Sequence, residues 1–342
     1  MPEKNLDKYL NVLVEPAPHG RKGVDTEQIM AGVVLALLPI WGLSIYKYGL
    51  VSLLMGILCI GICLALEHWI LGLKKQKPVS LFGDYSAIIT GLLFALTLPP
   101  SLPFWMAAVG AGVSITLGKH IFGGLGHNPF NPAIVGRVFL QISFAAPMTH
   151  WVAPFQEDRF THLLPSNLTF PFMKAFPDGL SGATPLGRLK FEGVDTSWIS
   201  FLWDQNAGSL GEISPLLVLI AGIYLALKKY LDWRIPVSIL SITLILAFIL
   251  KGFNLGAHPL FVISSGGLML GAVFMASDMV TSPVTPLGIW LYGGLIAFLI
   301  VLIRQWGGLP EGVAFAILLA NAVIPLIHLF TQPRVYGTKR KP

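Results

Sequence analysis

Charge is what this chain of 342 residues has least of: Asp, Glu, Lys and Arg make up 12% of it, where a soluble domain carries about a quarter. Hydrophobic residues make up 54%, and the mean hydropathy is +0.71. These proportions exclude a soluble enzyme held by one anchor. At about 20 apolar residues per span, ten spans would leave room for a single loop of real size. Cysteine is nearly as scarce. Cys59 and Cys63 are the only two; four apart in an apolar run, they share a helix face and read as packing residues. Two thiols complete neither a tetrahedral metal site nor an iron–sulfur cluster. There is no Gly-rich βαβ unit for a dinucleotide. The first 28 residues hold no basic segment leading into a short apolar core and cleavage site, so the first span is expected to direct insertion itself. The formal charge of +6 sits in short loops, as topology signals do, and not in a nucleic-acid patch.

What is present is a series of uncharged runs. Residues 28–46 and 48–66 lie between charges, and 85–118 is an uncharged stretch too long for one span, broken by Leu98-Pro-Pro-Ser-Leu-Pro103. A fifth run, 132–147, carries Arg137 near its start. After a polar region, runs resume at about 213–227, 235–250, 258–277, 284–303 and 312–331. A shift of 180 lays Gly91-Leu-Leu-Phe-Ala on Gly271-Ala-Val-Phe-Met, and a shift of 184 lays Phe122-Gly-Gly-Leu125 on Trp306-Gly-Gly-Leu309. Words recurring in order mark an internal repeat. Five spans per half is odd, so the halves cross in opposite senses, as in folds whose function lies where proline-interrupted helices meet. The expected fold is an all-α polytopic membrane protein with ten transmembrane helices, two inverted five-helix repeats with broken helices. Its expected parts are an N-terminal segment 1–27, repeats at 28–147 and 213–331, a loop at 148–212 and a tail at 332–342.

Lys and Arg set the orientation. With the N-terminus on one side, that side collects fifteen of them, from Lys4 to Lys341, while short loops on the other side collect Lys47, Lys251 and Arg304. Both termini are therefore expected in the cytoplasm and the 148–212 loop outside it. Within that loop, Asn167-Leu-Thr169 fits a glycan acceptor, a reading given little weight without a secretory signal. Asp178-Gly-Leu-Ser-Gly-Ala-Thr184 reads as a turn by composition. It also exposes a threonine hydroxyl on a small-residue segment, open to a modifying enzyme.

That heptad resembles the flavinylation sequence of the membrane subunits of Rnf-type ion-translocating oxidoreductases and of sodium-pumping NADH:quinone reductase. Gly124-Leu-Gly-His-Asn-Pro-Phe-Asn-Pro-Ala-Ile-Val-Gly-Arg-Val-Phe139 and Phe274-Met-Ala-Ser-Asp-Met-Val-Thr-Ser-Pro283 are similar to the family's two other signatures. Met279 departs from them, where proline is more usual. The resemblance implies FMN joined through its phosphate to Thr184 by an FMN transferase, with Asp178, Ser181, Gly182 and Ala183 as the recognised sequence. It further implies a complex in a bacterial or archaeal cytoplasmic membrane that passes electrons between ferredoxin and NAD and moves Na⁺ or H⁺. The expected partners are iron–sulfur, NAD-binding, second FMN-carrying and small membrane subunits, with lipid and without nucleic acid. Short termini favour the Rnf branch over the quinone-reductase branch. A rival of another class is a channel or solute transporter of the same inverted-repeat fold, which would be colourless.

Asn128, Asn131, Arg137 and Asp278 fall on the cytoplasmic side of this topology. A charged residue at mid-bilayer costs about 2.5–3.5 kcal/mol on insertion scales, so Arg137 and Asp278 need partners, and pairing with each other is one solution. The four are candidates to line a cavity for a second, non-covalent flavin such as riboflavin, or for the coupling cation; helix capping and salt bridging explain them equally well. Glu67 and His68 are expected to be solvated at a span end, with a proton relay as the lesser reading. His120 and His127 have no further ligand pattern, and no metal is assigned. Trp41, Tyr46, Trp69, Trp105, Trp290 and Tyr292 are expected to form an interfacial belt.

Overall fold

The computed structural model describes residues 25–74, 85–171, 173, 184–192, 206–212 and 214–333. Among the described residues every regular element is helical. Among the described residues five helices are long and apolar enough to cross a bilayer: α1 (Thr26–Tyr48), α2 (Leu50–Leu73), α7 (Arg234–Gly252), α9 (Pro286–Trp306) and α10 (Val313–Thr331). The protein is a multi-pass membrane protein.

The other apolar runs form pieces too short to cross about 30 Å of hydrocarbon at 1.5 Å per residue. These are α3 (Ser86–Leu96), α4 (Phe104–Thr116), α5 (Pro132–Ser143), α6 (Pro215–Leu227) and α8. The last is broken into α8a (Pro259–Ser264) and α8b, in which Leu268–Leu270 continues as a π-helical turn, Gly271–Met275. Run composition marked all of these as apolar. The lengths are set by proline and glycine: Pro99, Pro100 and Pro103 lack donors between α3 and α4, and Gly266, at φ 68°, turns the chain inside α8.

The α3–α4 break leaves carbonyls that the bilayer cannot satisfy, and loop segments supply the donors. Asn167 Nδ2 donates to Pro100 O at 2.8 Å and to Leu102 O at 2.9 Å. The backbone N–H groups of Leu210 and Gly211 donate to Leu98 O and Leu96 O at 2.9 and 2.6 Å. Asn167 is therefore a buried structural residue, 1% exposed, which removes the glycan reading.

The long helices pack around the short ones. α2 lies along α3 and α4, α7 along α9, and α1 against α6. Small residues allow these approaches: a Cβ on Gly91 would meet Ile60 Cα at 2.7 Å, and one on Gly293 would overlap Ser238 Oγ. Cys59 and Cys63 are buried and free, and Cys63 Sγ lies 3.8 Å from Ala111 O, so they pack as expected.

The belt expectation requires exposed rings, and Tyr46, Trp69 and Trp290 are exposed. It is wrong for Tyr292. That side chain is wholly buried and hydrogen-bonds the Asn321 side chain at 2.7 Å, because a phenol inside the bundle needs a partner. Trp41 is half-buried, donating to Ser52 O at 3.2 Å across the α1–α2 pair.

Candidate functional site at the Thr184 end of the bundle

Thr184 is described; Asp178, Ser181, Gly182 and Ala183 lie outside the described residues. Thr184 stands at the N-cap of a single turn, Pro185–Gly187, with proline at the first helical position. Its Oγ1 accepts the Gly187 N–H at 3.0 Å, as a capping hydroxyl does. The turn runs on into Arg188–Glu192. Contrary to the exposed threonine expected from composition, Thr184 is 8% exposed, and Pro185 and Leu186 beside it are buried. Leu186 packs on Phe261 of α8a, which draws the segment onto the bundle.

A linked set of charges surrounds the segment. Lys190 Nζ donates to the carbonyls of Ile303, Arg304 and Leu309 at 3.3, 3.0 and 2.9 Å, and to Gly307 O. It thus occupies the negative end of α9, where carbonyls lack helical partners. The Arg304 guanidinium does the same for α8a, donating to Val262 O at 2.6 Å and Ser265 O at 2.9 Å. Glu311, between α9 and α10, accepts the Gly267 N–H with one oxygen and pairs with Arg137 Nη2 at 3.1 Å through the other. Glu212 accepts from Ser209 Oγ at 2.9 Å, while its backbone carbonyl accepts from the buried Lys47 ammonium at 3.2 Å.

Thr184, Trp151, Glu212, Ser265 and Glu311 line a cavity of about 40 Å³. A second cavity, of about 430 Å³, shares Leu186 with it and is bordered by Lys190, Asn254, Phe261 and Arg304. The latter falls within the range of roughly 300–1,000 Å³ usual for cofactor pockets.

Burial pushes the Glu212 carboxyl from 4.5 up to about 7, and the Glu311 charge adds to the rise; Ser209 and Arg137 oppose it. Burial also lowers the Lys190 ammonium. A carboxyl that holds its proton more tightly folded than unfolded stabilises the fold fully below its unfolded value and loses that contribution as pH rises through about 7. The thermal midpoint of the protein should therefore fall between about pH 5 and about pH 8 by more than that of Glu212→Gln. Parallel curves for the two would show that Glu212 does not titrate there.

The four residues expected at the opposite end divide. Asn128, Asn131 and Asp278 line one cavity of about 90 Å³, together with Lys119. Arg137 does not join them. Its salt bridge is with Glu311 and not with Asp278, because α5 directs this side chain toward the Thr184 end. Asp278 instead accepts from Val280 N and Thr281 Oγ1, each at 3.3 Å; burial raises its carboxyl, and these two bonds oppose the rise. Asn131 caps α5, accepting from Ala133 N at 3.0 Å, and its Nδ2 donates to Met275 O at 3.2 Å. Asn128 Nδ2 donates to Phe130 O at 3.1 Å. Capping thus accounts for Asn131, while Asn128 and Asp278 bond within their own turns.

Glu67 is likewise not solvated as expected. It is buried and pairs with Lys119 at 2.6 Å. The loop positions of Glu212 and Glu311 concealed them from a composition reading. The repeat carried a signal for one of them: the shift of 184 that aligns 122–125 with 306–309 places His127 on Glu311.

Buried charges clustered beside broken helices, within a multi-pass bundle, define a class of membrane protein that handles ions or electrons inside the bilayer. The sequence narrows the class. Residues 13–337 match the model of the NQR2, RnfD, RnfE family, and the chain belongs to that family. It is 40% identical to the D component of the ion-translocating oxidoreductase complex of Sodalis glossinidius, with 94% of this chain and 97% of the relative covered. It is 39% identical to the component of the same name from Actinobacillus succinogenes (94% and 96% covered) and 36% identical to that from Vibrio cholerae (95% and 99%).

Proposed function

We propose that this chain is a membrane subunit of an ion-translocating oxidoreductase complex and carries FMN esterified to Thr184. In this reading the complex passes electrons between ferredoxin and NAD and couples them to Na⁺ or H⁺ movement across a prokaryotic cytoplasmic membrane, with Thr184 on the extracytoplasmic face. The observation that carries the reading is the position of Thr184: the last residue of Asp178-Gly-Leu-Ser-Gly-Ala-Thr184, held by its own cap at the edge of a half-buried charge cluster. An ester oxygen there keeps a lone pair for the Gly187 N–H. The cavity bordered by Lys190 and Phe261 is large enough for a flavin ring.

When bound, flavin supplies one-electron transfer; the protein supplies position and electrostatics. Lys190 and Leu186 would hold the segment, and Glu212 and Glu311 would face the attached group. Ferredoxin, NAD and iron–sulfur chemistry belong to other subunits, since this sequence has neither a dinucleotide-binding motif nor a cysteine cluster. Two inverted five-helix halves remain the favoured architecture, supported by the close packing of Gly91 and of its repeat partner Gly271. The cavity of Asn128, Asn131 and Asp278, at about 90 Å³, suits a hydrated cation better than a second flavin ring.

The test is flavin fluorescence of the chain on a denaturing gel after co-expression with an FMN transferase. The wild-type band should fluoresce and Thr184→Val should be dark. A fluorescent Thr184→Val band would remove the attachment site from this residue.

A further inference from the structure

The Thr184 hydroxyl is engaged: it caps the Gly187 N–H at 3.0 Å, in a residue 8% exposed, beside a cavity of about 40 Å³. Phosphoryl transfer to this oxygen requires phosphorus to approach it with the leaving group roughly in line behind, and an enzyme must surround both. The docked segment leaves space for neither.

Two contacts hold the segment down. Leu186 is buried against Phe261. The Lys190 ammonium, with three protons to give, is ringed by four carbonyls at the end of α9. Losing that set would leave the end of α9 uncapped.

We infer that Lys190 is the latch of the Thr184 segment: the threonine is esterified while the segment is undocked, and Lys190 then closes it, loaded, onto α9. The inference rests on the reading of Thr184 as the attachment residue. In the transfer, Oγ1 forms a bond to the flavin-bearing phosphorus of a flavin dinucleotide. The phosphoanhydride bond breaks, the nucleoside monophosphate leaves with the bridging oxygen, and the hydroxyl proton passes to a base on the transferase. No electrons change hands. Lys190 touches none of the reacting atoms, so it is a positioning residue.

The experiment uses the full chain in lipid nanodiscs, purified without flavin and incubated with FMN transferase and flavin adenine dinucleotide; fluorescence is followed on denaturing gels over time. Lys190→Met and Leu186→Ala open the segment by independent routes. Each should label about tenfold faster than wild type, because local opening sets the rate when reclosing outpaces attack. Lys190→Arg, which keeps the charge, should return toward the slow rate. Once loaded, Lys190→Met should show lower flavin anisotropy than wild type, a signature that a change in overall stability would not produce. Equal labelling rates in wild type and both opening variants would overturn the latch while leaving the attachment residue standing. Wild-type labelling of Thr184→Val would overturn the attachment reading instead.

Discussion

Glu311→Ala should lower the unfolding free energy by about 3–5 kcal/mol, the cost of removing one partner of a buried ion pair. Two groups lose their acceptor together. Arg137 Nη2, 3.1 Å from Glu311, loses its counter-charge, and the Gly267 N–H inside the α8 break loses its carboxylate. The Arg137 and Glu311 side chains are 11% and 19% exposed, so water reaches neither freely enough to replace the bond. The guanidinium dominates the cost; an orphaned backbone N–H adds about 1–3 kcal/mol. Arg137→Met combined with Glu311→Met should therefore recover most of the loss but not all of it, since Gly267 remains without its acceptor. Denaturant titration of wild type, Arg137→Met, Glu311→Met and the double variant closes a double-mutant cycle that measures the coupling. Additive single losses would mean that the pair contributes nothing to holding α5 against the α9–α10 connection.

Much of this arrangement could be read from the residue order, and the part that could not has physical causes. Uncharged runs located the helices because a bilayer admits few charges, and Pro99, Pro100 and Pro103 located the α3–α4 break because proline has no N–H to give. Which carbonyls Asn167, Leu210 and Gly211 would satisfy could not be read, since such bonds join residues more than 60 positions apart. The heptad ending at Thr184 identified the candidate attachment residue. Its burial was missed because composition describes a segment and not the surface it docks on; Leu186 and Lys190 act through α8a and α9, far along the chain. The proposed Arg137–Asp278 pairing failed for a related reason. Both residues needed a partner on energetic grounds, but need does not specify direction, and Glu311 and the Val280–Thr281 turn met the two needs separately. Lys119 counts among the cytoplasmic topology charges by sequence, yet it is 2% exposed. Charge counting for topology works on the sum and is blind to such exceptions.

That lysine should be as costly to remove as Glu311. Its ammonium donates to Glu67 Oε1 at 2.6 Å and to Ser86 Oγ at 2.5 Å, joining the end of α4 to α2 and to the first residue of α3. Lys119→Met keeps much of the side-chain volume but takes the counter-charge from a carboxylate that lies among apolar helices, so a loss of about 3–5 kcal/mol is expected here too. Volume and charge are separable by design. Lys119→Met with Glu67→Leu removes both charges and should approach wild-type stability, whereas Lys119→Arg keeps the charge and should lose only what its larger head group costs in packing. The consequence for transport is local. Lys119 lines the cavity that holds Asn128, Asn131 and Asp278, so the doubly neutral variant leaves Asp278 with no ammonium among its described cavity neighbours. If that cavity serves the coupling cation, this variant should bind the cation more tightly and release it more slowly while its fold persists. Ion-dependent turnover of the assembled complex, measured against cation concentration, reads this directly. An unchanged half-saturation in a stable Lys119→Met, Glu67→Leu protein would place the ion path elsewhere.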